Sequence, residues 1–156
     1  MTIFALGDIC SRLRSGKGIS SAEISASGAY PVIGGNGLRG YTNTYNFEGD
    51  CAVIGRQGAA CGNVRFFTGK GYMTEHAVVA VANHNHDAHY LAYLLSTMSL
   101  GRLSAQSAQP GLSVKVLSKL EVNLPSLVVQ RKSVELLGRL DEMIDLNRQT
   151  NDYLAA

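Results

Sequence analysis

Asparagine, arginine and glutamine recur in this sequence inside glycine-flanked turns. Asn36 and Arg39 lie in GNGLRG, Arg56 and Gln57 in IGRQG, and Gln106, Ser107 and Gln109 in SAQSAQPGLS. Thr74 and His76, in MTEHA, add a fourth polar group, while Lys17 in SGKG and Lys70 in TGKG each place one cation between glycines. These side chains offer recognition rather than bond making. Arg matches the two acceptors of guanine, and Asn or Gln matches the donor and acceptor of adenine. Lysines beside glycine meet phosphate without base preference. Polar loop tips are also what an ordinary solvated surface carries, so residue type alone leaves both readings open.

Other chemistries fit less well. Gly35 to Gly40 spells G-x-G-x-x-G, but the last glycine runs into YTNTYNF rather than opening the helix whose N-terminus would hold a pyrophosphate. A β-turn with Asn36-Gly37 at its tip is the better expectation. SGKG lacks the upstream glycine and the Lys-Ser/Thr pair of a phosphate loop. His84, His86 and His89 cluster around Asp87, yet a helix is expected to start between them, which favours a hydrated loop over a metal site. Cys61 and His76 are the remaining nucleophile and base. Cys61 sits in AACGN with only Arg56 and Arg65 as nearby charges. A small cysteine- or metal-dependent hydrolase therefore stays as an alternative, tested by partner-free activity or bound zinc.

The elements that position these turns can be read from their rhythm. Between Tyr30 and Val81 the runs YPVIGG, LRGY, CAVIG, NVRFF and HAVVAVA are rich in Val, Ile, Tyr and Phe and are cut by Gly or Asn. They read as strands of a small twisted sheet. Asp87 then caps a helical rhythm of Tyr90, Leu91, Leu94, Leu95 and Met98, which Gly101 is expected to end. Ser104 to Ser113 is a small, polar Pro-Gly loop, and Leu120 to Leu124 is a further short strand.

Pro125-Ser126 opens the longest periodic segment, with Ser126 as its expected cap. Leu137, Leu140, Ile144, Asn147, Asn151 and Leu154 fall at alternating steps of three and four, the spacing of a coiled-coil seam. At roughly 30 residues this helix would be about 45 Å long. A globular body of this size cannot cover its whole length, so the stripe is expected to meet a partner helix. The two asparagines on it are of the kind that fix register.

The 156 residues suit a single domain, and 46% hydrophobic with 17% charged residues needs neither disorder nor a disulfide scaffold. Cys10, Cys51 and Cys61 are odd in number and form no C-x-x-C, which is unlike a disulfide framework or a cysteine zinc site. Asp8 interrupts the first apolar stretch, and no long uninterrupted apolar run occurs, so neither export nor insertion is expected and the chain reads as cytoplasmic. A net charge of +2 does not announce nucleic acid. Between Ile9 and Glu75, however, seven basic residues face four acidic ones.

The ordered set LGDI, GKGI, YPVIGGNGLRGY, VIGRQGAACGNV, TEHA, YLLS, QPGLS, VNLPSLVVQ and LDEMIDLNRQTNDYL resembles the specificity subunit of type I restriction-modification systems over nearly the whole chain. That resemblance implies an α/β fold: a small curved, mostly antiparallel sheet with flanking helices at 1–125, a target recognition domain reading one half of a bipartite double-stranded DNA site. The helix at 126–156 would then be the spacer that docks methyltransferase (modification) subunits, with the restriction and translocation subunit joining them. Carried onto matching motifs, the DNA-binding set is Asn36, Arg39, Arg56, Gln57, Thr74, His76, Ser107 and Gln109, with Lys17 and Lys70 as expected phosphate contacts. Catalysis, S-adenosylmethionine and ATP would belong to partner subunits, with no cofactor on this chain. Family chains usually carry two recognition domains and two antiparallel helices. This one carries one of each, so a homodimer through antiparallel helices is expected. A tryptophan common before T-x-H-A is replaced here by Tyr72-Met73. A stand-alone DNA-binding regulator of the same fold is the third reading.

Overall fold

The computed structural model describes residues 1–104 and 111–155. Its elements run β1 (Thr2–Ala5), α1 (Leu6–Ile9), β2 (Cys10–Ser15), β3 (Tyr30–Gly34), β4 (Gly37–Thr42), β5 (Phe47–Gly55), β6 (Val64–Met73), β7 (Ala77–Ala82), α2 (Ala88–Thr97), α3 (Val114–Ser118), β8 (Glu121–Leu124) and α4 (Leu127–Ala155). The six-stranded sheet has the order β2-β7-β5-β6-β3-β4, and β1 pairs separately with β8. Every pairing is antiparallel except the short contact of Val32 and Ile33 with Tyr72 and Met73. The fold is the curved, mostly antiparallel sheet with flanking helices and a long C-terminal helix that the sequence led us to expect.

Strand alternation sends side chains to two cores. Ala52, Ile54, Val78 and Ala80 face Leu91, Ala92 and Leu95 of α2, together with Leu6, Ile9, Leu112 and Leu117. Cys51, Val53, Ala77 and Val79 face the other way, onto Phe47 and Met73. Curvature comes from glycine. Gly49 and Gly69 stand opposite each other in the β5–β6 ladder with φ of +127° and +96°, a region costly for other residues. The β5–β6 ladder runs on to Phe47 and Gly71, and the last two residues of β6, Tyr72 and Met73, lie beside β3.

Three local expectations shift. The β3–β4 hairpin pairs Gly34 with Gly37, so its tip is Gly35-Asn36, one residue earlier than expected. Helix α2 is capped by Asp87, whose carboxylate accepts the Tyr90 N–H, but it stops at Thr97, short of Gly101. Ser99 takes the left-handed turn at φ 51°, and Gly101 lies in the following 3-10 turn, where it meets Gly62 backbone to backbone. Strand β2, CSRLRS, lacks the β-branched and aromatic run that marks the other strands of its sheet, and β1, α1 and α3 have only four or five residues each.

Helix α4 has one fully buried residue, Gln130. The Ser126 carbonyl accepts the Gln130 N–H in its first turn. From Arg139 to Ala155 every residue is exposed, and beyond Asp141, to which Tyr93 of α2 still donates a hydrogen bond, the helix runs on for about 20 Å at about 1.5 Å per residue.

Candidate nucleic-acid interface

Four segments meet at one end of the sheet, and main-chain hydrogen bonds join them. The Arg56 N–H donates to the His76 carbonyl at 2.9 Å, and the Arg56 carbonyl accepts the Leu112 N–H at 2.9 Å. The Thr74 N–H donates to the Ile33 carbonyl at 2.9 Å. Gly35 packs so closely that a Cβ there would lie 2.9 Å from the His76 carbonyl oxygen. The β3–β4 tip, the loop after β5, the β6–β7 turn and the chain entering α3 thus form one continuous edge.

Asn36, Arg39, Gln57 and His76 are exposed on this edge, and Arg56 is half-buried. The Arg39 side chain lies across Gly34, where a Cβ would come within 2.7 Å of its Cδ. His76 Nε2 stands 3.3 Å from the Glu75 carboxylate. Thr74 belongs to the support instead: it is completely buried, and its hydroxyl has no hydrogen-bond partner among the described residues. Lys17 is exposed on the flank, its N–H donating to the Met73 carbonyl at 2.9 Å. Lys70 stands in a separate group, 3.7 Å from Glu48 and over the Tyr45 ring. Glu48 first and Tyr45 second hold its ammonium above the usual lysine range. Ser107 and Gln109 lie outside the described residues, although Gly111, just after them, runs beside Gln57.

Sequence reasoning passed over Arg65. It is exposed on β6, and its guanidinium lies against the hairpin tip, 3.3 Å from where a Gly37 Cβ would stand. Its signal was a lone cation one register step past the IGRQG loop, since Val53 pairs with Arg65 across the ladder.

The residues weighed for covalent chemistry have structural partners. The Cys61 thiol donates to the Arg56 carbonyl at 3.3 Å and so braces the loop. Burial pushes the Cys10 and Cys51 thiols up to about 12, which disfavours thiolate. His89 stacks between Phe66 and Tyr93, and His86 meets the Phe4 ring edge-on. Among the described residues, no three His, Cys, Asp or Glu are grouped to hold a metal ion. None of their helices is long and apolar enough to cross a membrane.

The sheet thus carries an edge of Arg, Gln, Asn and His tips and is followed by a long helix that is exposed from Arg139 onward. Residues 1–156 match the family described as type I restriction modification DNA specificity domain, and the chain belongs to that family. It is 38% identical over 142 residues to the type I restriction enzyme EcoprrI specificity subunit of Escherichia coli, an alignment covering 88% of this chain and 35% of that protein. The crystal structure of a type I restriction-modification system S subunit from M. genitalium shares the fold at a TM-score of 0.83 and 23% identity, covering 95% of this chain and 41% of that one. A structure described for complex assembly and conformational transition of the type I R-M system matches at 0.71 and 17%, over 96% and 40%. The chain therefore spans well under half the length of these relatives.

Proposed function

We propose that this chain is a non-catalytic DNA-reading component of a type I restriction-modification assembly, in which residues 1–125 recognise one half of a bipartite duplex site and residues 126–156 space and dock the rest. The observation that carries this reading is the single edge made by four main-chain-linked segments, with Arg39, Arg56, Gln57 and His76 at its rim. Side chains held on such a frame meet base edges in fixed register, which loose loop tips do not.

Membership of the specificity family supports the partners. Modification subunits supply methyl transfer with S-adenosylmethionine, and a restriction subunit supplies ATP-driven chemistry. Two copies pair through antiparallel α4 arms and bring two half-site readers together. The assembly works in the cytoplasm.

The test is duplex binding by the assembled complex with Arg56→Ala and Gln57→Ala. A base-reading side chain should lose about 1 to 3 kcal/mol and relax preference at one position of the half-site. If both variants keep affinity and site preference, these residues only hold the turn beside Gly58 and the reading of the edge fails.

A further inference from the structure

Beside the reading edge, β2 carries a second group of cations. Strand alternation puts Arg12 and Arg14 on one face while Leu13 enters the core under α2. With Ser15, Gly16 and Lys17 they line a cavity of about 340 Å³ closed on the far side by Tyr45 and Asn46.

That wall is fixed by bonds that leave it no role as a counter-charge. The Asn46 amide is fixed on Met73, donating to the carbonyl at 2.9 Å and accepting the N–H at 2.8 Å. Tyr45 packs on Tyr30 and under Lys70. The floor is tight. A Cβ on Gly16 would stand 2.0 Å from the Met73 carbonyl oxygen, so the chain carrying Lys17 is pressed against the β6–β7 turn.

The charges inside are uncompensated. No acidic residue lines the cavity, and none of Arg12, Arg14 and Lys17 is ion-paired with a carboxylate among the described residues. The Arg12 guanidinium lies over the Phe47 ring at 5.3 Å, and its Nε is buried without a hydrogen-bond partner. Burial first, and then the neighbouring Arg14, lower the Arg12 pKa from its ordinary value. An anion in the cavity would offset the repulsion between two guanidinium groups.

We propose that Arg12, Arg14 and Lys17 form a phosphate-binding pocket, and that its ligand is a backbone phosphodiester of the DNA lying on the adjacent reading edge. The ligand assignment rests on the DNA reading above. The position supports it, because the Gly16 N–H donates to the Ala77 carbonyl and the Lys17 N–H to the Met73 carbonyl, on either side of the turn that holds His76. A duplex seated on the edge would pass its backbone here, and the contact would set register without reading sequence.

Two measurements on the full chain decide it. The first follows the arginine Nε–H resonances during titration with inorganic phosphate. Arg12 should shift saturably, and Arg14→Gln should raise the phosphate needed several-fold. The second follows anisotropy of a mixed-sequence duplex across a salt series. Arg14→Gln and Lys17→Gln should each weaken binding about threefold on any sequence and, if they share one phosphate, flatten the slope of log affinity against log salt together by roughly 0.9. Arg14→Lys should restore most of it. Both substituted side chains are at the surface, and an unchanged thermal midpoint confirms folding. Duplex binding with unaltered affinity and slope in both variants overturns the pocket while leaving the DNA reading standing. Phosphate binding by a chain that binds no duplex under any salt overturns the DNA ligand together with that reading, and no Arg12 response to phosphate overturns the pocket itself.

Discussion

Gln130 of the long helix and Asp87 at the start of α2 are joined through a side-chain amide: Gln130 Oε1 accepts the Asp87 N–H at 2.9 Å, while its Nε2 donates to the Pro125 carbonyl at 2.8 Å. The residue is wholly buried, so its loss strands both groups. Gln130→Ala should lower the unfolding free energy by about 2 to 6 kcal/mol, at one to three for each of the two orphaned groups, in denaturant titrations. A change below about 0.5 kcal/mol would show that water takes over the bonds.

His86 makes this junction sensitive to acid. Its Nδ1 stands 3.2 Å from Gln130 Nε2, and since an amide nitrogen only donates, the ring nitrogen must accept, which requires it to be unprotonated. Burial holds its pKa below the ordinary 6.5. The unfolded chain therefore takes up the proton first as pH falls. The stabilising contribution is whole above about pH 6.5 and is lost as pH drops through the folded value. Unfolding measured between about pH 5 and 7 should show a slope that His86→Leu reduces.

Two glycines of the loop after β5 should behave differently. Gly58 and Gly62 both have positive φ, +68° and +84°, but Gly58 faces open space while a Cβ on Gly62 would lie 2.1 Å from the Gly101 nitrogen. Gly58→Ala should cost only the left-handed conformation, about 1 to 2 kcal/mol. Gly62→Ala must also push its own backbone away from that of Gly101 and should cost more than about 3 kcal/mol, read from thermal or denaturant midpoints.

Helix α4 carries Leu136, Leu140, Met143, Ile144 and Leu154, all exposed. Leu137 is half-buried, on the helix face it shares with Gln130 and with Asp141, which accepts a hydrogen bond from Tyr93. Light scattering should find a dimer at tens of micromolar that Leu140→Asp converts to monomer. The methylated sites of the assembled complex should then show one half-sequence inverted across a gap, because two-fold protein symmetry is mirrored in the site.

How far the sequence reached depended on whether a signal was local. The strands from Tyr30 to Val81 were legible because glycine or asparagine separates their β-branched runs, and α2 was legible from Asp87 and the Leu91–Leu95 spacing. The return of β6 beside β3 was not. It pairs Val32 and Ile33 with Tyr72 and Met73, about forty residues on, and no single segment encodes that pairing. Likewise Thr74 looked like a loop-tip hydroxyl until the turn folded it inward, and Arg12 and Arg14 were only two charges in a count, because Tyr45 and Asn46, which line one cavity with them, come from a distant segment.

The edge that holds Arg39, Arg56, Gln57 and His76 is joined by amides and carbonyls, with glycine at its closest approaches. Main-chain bonds are indifferent to which side chain hangs from them. The residues at those four positions can therefore change while the frame that joins the segments stays in place, so that what the edge presents is separable from what holds it.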